Sequence, residues 1–130
     1  MTYSLTPARK KTVTAFAREY PFWVRDYNLI THTKKSQRMG DMRTKTNEIG
    51  RPTEKLAIRR VSLLKKMVMI EQTAASVDPV IQKYLLRGVT EGRPFEKLLA
   101  DGLCMSRNTY YDRRRKFYYV LSEKMERMGI

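Results

Sequence analysis

The sequence predicts an all-α protein, a helical bundle that ends in a helix-turn-helix. Apolar residues recur at helical spacing in several segments, and no strand-period alternation is long enough to propose a sheet. Helix-start signals, such as Thr6-Pro7, precede these segments. The 130 residues fit one small domain, or a small domain with an additional helical arm.

Residues 1–30 are expected to form a helical hairpin. Thr6 can cap the first helix, and Pro7 fits its first position, where a missing N–H costs nothing. Pro21 ends or kinks this helix, because proline disfavours helical geometry in the residue before it. A second helix is expected from Phe22 to about Ile30. We interpret the aromatic residues of this segment as a local core rather than a platform for a ligand.

Residues 31–52 differ from the rest of the chain. They hold six Lys and Arg, two acidic residues and no aromatic residue, and their few apolar side chains show no periodicity. This composition is typical of a flexible basic linker. Two interpretations stay open: the segment tracks DNA phosphates, or it is a solvated tether.

Residues 53–130 are expected to form the main helical domain. Thr53 is predicted to cap a long helix that runs to about Val77. Two adjacent apolar stripes cover about half of its circumference, which is more than a lone surface helix needs. This helix is therefore expected to pack on two sides, within a bundle or across a dimer interface. The stripes are Leu56, Leu63, Met67, Ile70 and Ala74, and beside them Ala57, Val61, Leu64, Val68 and Ala75.

The next helices are predicted from shorter signals. Asp78-Pro79 resembles a cap followed by a first-turn proline, so a helix is expected behind it. A short helix is expected over residues 95–101. A longer helix is expected from Ser106 to about Met125.

Residues 94–125 have the spacing of a helix-turn-helix. Ala100 is the small residue where the two helices would meet, and Cys104 takes the turn position usually held by glycine. Met105 follows as the apolar residue that fills the gap between the helices. Ser106 can cap the second helix. The buried face of that helix is expected to contain Tyr110, Phe117 and Leu121.

The outward face of this second helix supplies the candidate DNA-binding residues. Those near its start have donors, acceptors or apolar surface suited to base edges in the major groove. They are Ser106, Arg107, Asn108, Thr109, Tyr111 and Asp112. The four cations that follow are expected mostly to contact phosphates. They are Arg113, Arg114, Arg115 and Lys116. The alternative is a solvated charge run on an amphipathic helix.

Composition narrows the class of protein. Lys and Arg number 27 against 13 Asp and Glu, a net charge of +14, which points to a polyanionic partner. One cysteine excludes an internal disulfide, and one Cys with one His cannot supply a structural zinc site. We find no phosphate-binding glycine loop, catalytic triad, membrane span or signal peptide. A cytoplasmic protein without enzymatic activity, cofactor or metal is expected, with Cys104 a packed turn residue rather than a nucleophile.

The segment Leu103-Cys104-Met105-Ser106-Arg107-Asn108-Thr109-Tyr110-Tyr111 resembles the helix-turn-helix of the promoter-reading domain in bacterial sigma factors. Together with Tyr20-Pro21, the helix start Thr53-Glu54-Lys55-Leu56-Ala57 and the chain length, it resembles the RinA/ArpU-type phage transcriptional regulators. The resemblance implies a regulator that activates phage late genes in a bacterial host. The run from Arg113 to Lys116 and the basic linker have no counterpart in that pattern.

The sequence therefore predicts a sequence-specific DNA-binding regulator of a phage or prophage. Double-stranded DNA is the expected partner, with host RNA polymerase and a second copy of the chain as further expected partners. Two alternatives stay open. One is a DNA-packaging protein like a small terminase subunit, and the other is a basic inhibitor of a host nucleic-acid enzyme.

Overall fold

The computed structural model describes residues 3–40 and 50–130, and within them the side chains of residues 3–31 and 54–130. This part of the protein is all-α, as the sequence predicts, with six helices and no strand. None of the described helices combines the length and apolar character needed to cross a membrane. The helices are α1 (Pro7–Arg18), α2 (Tyr20–Gly40), α3 (Gly50–Val77), α4 (Gln82–Glu91), α5 (Phe95–Asp101) and α6 (Arg107–Arg127).

The chain divides into two compact units. The terminal unit combines Met1–Pro21 with Val68–Ile130, and the hairpin unit is Phe22–Met67. This grouping differs from the expected segments 1–30, 31–52 and 53–130. The division falls just after the start of α2, so α1 belongs to the terminal unit and most of α2 to the hairpin unit.

In the terminal unit, α1 packs against α4 and α6. Its buried residues are Val13, Phe16 and Ala17. Arg9 fastens α1 to α6: its Nε donates to Ser122 Oγ at 2.8 Å, and its Nη2 donates to the Ser122 carbonyl at 3.1 Å. Its Nη1 donates to the Ile130 carbonyl at 3.3 Å. One arginine therefore satisfies the buried Ser122 hydroxyl and two carbonyls near the end of α6.

The hairpin unit consists of the paired parts of α2 and α3. Arg59 forms an ion pair with Asp26 at 2.9 Å, and Arg60 donates to the Tyr27 hydroxyl at 3.1 Å. Trp23 lies one turn before Tyr27 in α2, and the centre of its ring is 5.5 Å from the ammonium of Lys66, which lies later in α3. The two helices are therefore antiparallel. Among the side chains of this unit that the structure describes, the buried apolar ones are Trp23, Ile30, Leu63 and Met67.

Local signals predict some helix boundaries correctly and others not. Thr6 caps α1 through a bond from the Arg9 N–H, as expected. In contrast, α2 does not end near Ile30 but continues through residues assigned to the linker, as far as Gly40. Similarly, α3 begins at Gly50, so Thr53 lies inside it rather than capping it. Residues 41–49 of the predicted linker lie outside the described residues.

The start of α4 also differs from the prediction. The Asp78 carboxylate accepts the Val80 N–H at 3.0 Å and so closes a turn, and α4 begins only at Gln82. Asp78 has a second role, because it also pairs with Arg113 at 3.2 Å. Asp78 does not cap α4, because Ile81 stands at the N-cap position directly before Gln82, three residues after Asp78.

The two predicted apolar stripes of α3 differ in how far they are buried. Leu63, Met67, Ile70 and Ala74 of the first stripe are buried. In the second stripe, Val61 keeps 53% of its surface exposed and Leu64 keeps 42%. The other three members of the second stripe, Ala57, Val68 and Ala75, are partly buried, so this stripe is covered only in part.

Candidate nucleic-acid interface

The connection from α5 to α6 is built on a left-handed glycine. Gly102 has a φ of 119°, which a residue with a Cβ rarely adopts. Its N–H donates to the Leu99 carbonyl at 3.1 Å, and the Leu103 N–H donates to the Leu98 carbonyl at 2.9 Å. Leu98 and Leu103 are both buried, which is the apolar contact that accompanies this Schellman arrangement.

This turn corrects three assignments made from the sequence. Cys104 is exposed and is not the packed turn residue, because Gly102 supplies the positive φ two positions earlier. Leu103, not the half-buried Met105, is the apolar residue that closes the gap. Ala100 is exposed rather than lying between the helices. The Asp101-Gly102 pair was the signal available in the sequence, since glycine directly after a helical stretch favours this ending.

The start and buried face of α6 agree with the prediction. Ser106 caps the helix, with its Oγ accepting the Thr109 N–H at 3.2 Å. Tyr110, Phe117 and Leu121 are each fully buried. These contacts hold α6 by one face and fix which of its side chains point outward.

Tyr110 packs unusually close to α4. A Cβ on Gly88 would overlap the Tyr110 hydroxyl, so only glycine leaves room for this ring. No described group forms a hydrogen bond with that hydroxyl. Burial raises the pKa of Tyr110 to about 12, because the ionised form would lose its hydration. The Gly88–Tyr110 contact sets the spacing of α4 and α6, and the sequence analysis did not identify it.

The ten candidate DNA-binding residues split by exposure. Those exposed are Ser106, Arg107, Asn108, Asp112 and Arg115. Those partly buried are Thr109, Tyr111, Arg113, Arg114 and Lys116. Asn108, Asp112 and Arg115 recur at i, i+4 and i+7 and therefore share one face of α6. We call these three residues the outer face of α6.

Tyr111 lies within a cluster of rings and cations. Its ring centre is 6.4 Å from that of Phe95 and 5.2 Å from that of Tyr110. The guanidinium of Arg107 lies 5.8 Å from the Tyr111 ring centre, and Arg107 also pairs with Glu96 at 3.0 Å. This cluster orients Arg107 beside the start of α6.

Arg114 is placed differently from its neighbours in the basic run. Its guanidinium lies 5.8 Å from the Tyr111 ring centre and 5.7 Å from that of Tyr118. It follows Tyr110 by four positions, so it lies on the same side of α6 as the core. Its side chain therefore spans two tyrosine rings.

Two other cations of the run pair with carboxylates. Arg113 binds Asp78, whose side chain is only 17% exposed. Arg115 forms an ion pair with Asp112 one turn earlier on α6, and both side chains are more than half exposed. A solvent-exposed pair of this kind contributes only about 0–1 kcal/mol, so either partner can exchange it for another ligand at little cost.

A groove runs between the N-terminal segment and α6. Its volume is about 660 Å³. The Tyr3 ring packs edge-on against Tyr119, with ring centres 5.5 Å apart, and the Lys116 ammonium lies 5.9 Å from the Tyr3 ring. Lys10 of α1 contributes to the same groove. Sequence reasoning missed Tyr3 and Lys10, because nothing in the sequence places the N-terminal segment beside α6. The lining residues are Tyr3, Ser4, Leu5, Lys10, Asp112, Arg113, Arg115, Lys116 and Tyr118.

Charge is unevenly divided between the two units. The hairpin unit, residues 22–67, has twelve Lys and Arg against four Asp and Glu, a net +8. The terminal unit has the other fifteen cations and nine acids, a net +6 in a longer stretch of chain. The highest positive charge density therefore lies outside the α5–α6 pair.

Comparison of the chain with protein-family profiles, with curated proteins and with solved structures found no match. The resemblance to phage regulators and the candidate DNA-binding residues stay predictions.

Proposed function

We propose that the protein binds double-stranded DNA, with the N-terminal half of α6 in the major groove. The observation that carries this proposal is the outer face of α6. Asn108, Asp112 and Arg115 point away from the core, while buried residues on the opposite face hold the helix. An exposed helix start with amide and carboxylate groups, beside the exposed guanidinium of Arg107, is suited to readout of base edges.

The ion pairs around α6 are compatible with such a role. Arg107 and Arg115 pair with carboxylates through exposed groups, and these pairs offer little stability in water. A phosphate is a strong competing acceptor for the guanidinium of Arg115, and a guanine edge is one for that of Arg107. Asp112 can then accept a hydrogen bond from a cytosine amino group once Arg115 has moved to a phosphate.

The groove beside α6 is the proposed backbone contact. Lys10 and Lys116 flank it, and the structure pairs neither with a carboxylate in its described part. Arg114 is a weaker candidate for a phosphate contact than the sequence suggested, because it spans two tyrosine rings. Arg115, Lys10 and Lys116 are therefore the expected phosphate contacts.

The biological role that we propose is transcription regulation by binding, without catalysis. It rests on the sequence resemblance to phage regulators and to the sigma-factor motif. The polar face at the start of α6 and the net charge of +14 support the DNA-binding part.

Selection from a random DNA pool, followed by binding of single variants, tests the proposal. Arg107→Ala and Asn108→Ala should each cost about 1–3 kcal/mol on the selected site and little on random DNA. Arg115→Ala should weaken both kinds of DNA alike. Arg87→Ala, which removes an exposed cation from α4, is the matched control and should change neither.

Far-UV circular dichroism must show that each variant keeps its helix content. A pool without an enriched motif would contradict sequence-specific binding. Equal loss on both kinds of DNA for Asn108→Ala would show that α6 does not read bases.

A further inference from the structure

The face of α3 opposite α2 carries a regular exposed stripe. It consists of Glu54, Ile58, Val61 and Lys65, at i, i+4, i+7 and i+11, and we call it the α3 stripe. Ile58 is 70% exposed and Val61 is 53% exposed. Because Asp26 and Tyr27 of α2 bind Arg59 and Arg60, the side of α3 that bears this stripe is turned away from α2.

The spacing of the α3 stripe is symmetric. Its steps of four, three and four residues read the same from either end. An antiparallel second copy can therefore be aligned with it residue for residue. Glu54 then meets Lys65 of the second copy, and Ile58 meets Val61, each pair occurring twice. A parallel alignment would instead put like charges together, which is unfavourable.

The residues beside the stripe follow the same symmetry. Ala57 and Ser62 border Ile58 and Val61, and in the antiparallel alignment Ala57 meets Ser62 of the second copy. Both side chains are small, so two helix backbones can approach to the short end of the usual 8–10 Å range. A shallow depression of about 410 Å³ lies along this surface, lined by Ala57, Ile58, Val61, Ser62 and Lys65.

We propose that the α3 stripe binds the same stripe of a second copy of this chain, with the two α3 helices antiparallel. The stripe runs from an acid through two apolar residues to a base, so when a second copy is antiparallel each acid faces a base and each apolar residue faces an apolar one. That property selects a second copy over an unrelated partner. The contact involves about three helical turns, which is less than a standard interface, so we expect the association to be weak. This inference does not depend on DNA binding.

Charge reversal of the full chain tests both the contact and its register. Sedimentation equilibrium from about 20 µM to 1 mM should show a monomer–dimer equilibrium. Glu54→Lys alone and Lys65→Glu alone should each weaken association about tenfold or more, because each variant faces like charges across the two-fold axis. An equimolar mixture of E54K and K65E should form heterodimers. The double variant E54K/K65E should associate like the parent.

Two further variants separate this contact from general stickiness. Ile58→Asp should abolish association, because it places a carboxylate at the centre of the apolar pair. Val80→Asp is the matched control: Val80 is 87% exposed but lies in the turn before α4, so association should be unchanged. Circular dichroism checks folding in every case. A monomer at all concentrations would overturn the proposal, as would a double variant that fails to recover association.

Discussion

At the scale of single residues, the contact between Gly88 and Tyr110 in the terminal unit depends on the absence of one carbon atom. Gly88 lies inside α4, where glycine costs about 1 kcal/mol relative to alanine. The structure explains why the cost is tolerated: the Tyr110 ring needs the space. Sequence alone predicted that Tyr110 is buried, from its position in α6. It could not predict that Tyr110 packs against Gly88, because nothing in the sequence around Gly88 indicates which side chain needs the space there.

Gly88→Ala should destabilise the protein by about 1–3 kcal/mol, because overpacking outweighs the gain in helix propensity. In the Tyr110→Phe background the overlap with the hydroxyl disappears, and the same change should cost less than about 1 kcal/mol. Urea denaturation of the four proteins of this double-mutant cycle measures the difference. An equal cost in both backgrounds would refute the assigned contact.

Tyr110→Phe should also change the response to alkaline pH. Because the folded pKa of Tyr110 is about 12 against an ordinary 10, its contribution is fully present below pH 10 and is lost as pH rises towards 12. The variant should therefore lose less stability between pH 9 and pH 11, by about 1 kcal/mol. The measurement is the free energy of unfolding at pH 9, 10 and 11 for both proteins. Parallel pH profiles would contradict the burial of this hydroxyl.

At the scale of helices, the reliable signals were the capping residues that stand directly before a helix. Thr6 and Ser106 each accept one N–H of the following helix, and both starts were predicted correctly. The Asp78 signal gave too early a start for α4, because the Asp78 carboxylate accepts the Val80 N–H in a turn and the helix begins only at Gln82. The end of α5 was predicted at the right residue, although its turn was assigned to Cys104 instead of Gly102.

Arg9→Ala should cost about 1–3 kcal/mol, because it removes three hydrogen bonds between α1 and the end of α6 and leaves the buried Ser122 hydroxyl without its donor. Lys11→Ala is the control, since Lys11 is exposed on the same helix and should have an effect within about 0.5 kcal/mol. Chemical denaturation gives both values. Similar losses for the two variants would argue against the Arg9 anchor.

At the scale of the whole molecule, the sequence predicted the class and the helices better than their partners. An apolar stripe shows that a helix face is buried but not which helix covers it. The α1 face was assigned to the following helix, yet Val13, Phe16 and Ala17 belong to a core with α4 and α6. Nine of the ten candidate residues lie in α6, as expected, and Ser106 is its cap. Their division into exposed and partly buried side chains depended on residues of other elements, such as Asp78 beside Arg113 and Phe95 beside Tyr111.

The total charge predicts how DNA affinity depends on salt. Roughly four to eight phosphate contacts give a slope of about −4 to −7 in log affinity against log salt, since each contributes about −0.9. A threefold rise in salt should therefore weaken binding at least about fiftyfold. Fluorescence anisotropy with a duplex at several salt concentrations measures the slope. A flat profile would contradict phosphate binding by this protein.

The bond between Arg9 and Ser122 also constrains the order of events during folding. The two residues are 113 positions apart, so α1 leaves the ribosome long before α6 is translated. The hairpin unit closes through pairs about 33 positions apart, such as Asp26 with Arg59. Contacts between near neighbours in the chain form faster than distant ones, because less loop entropy is lost. The hairpin unit is therefore expected to form first. Until α6 has been translated, the apolar face of α1 stays exposed and is a binding site for chaperones.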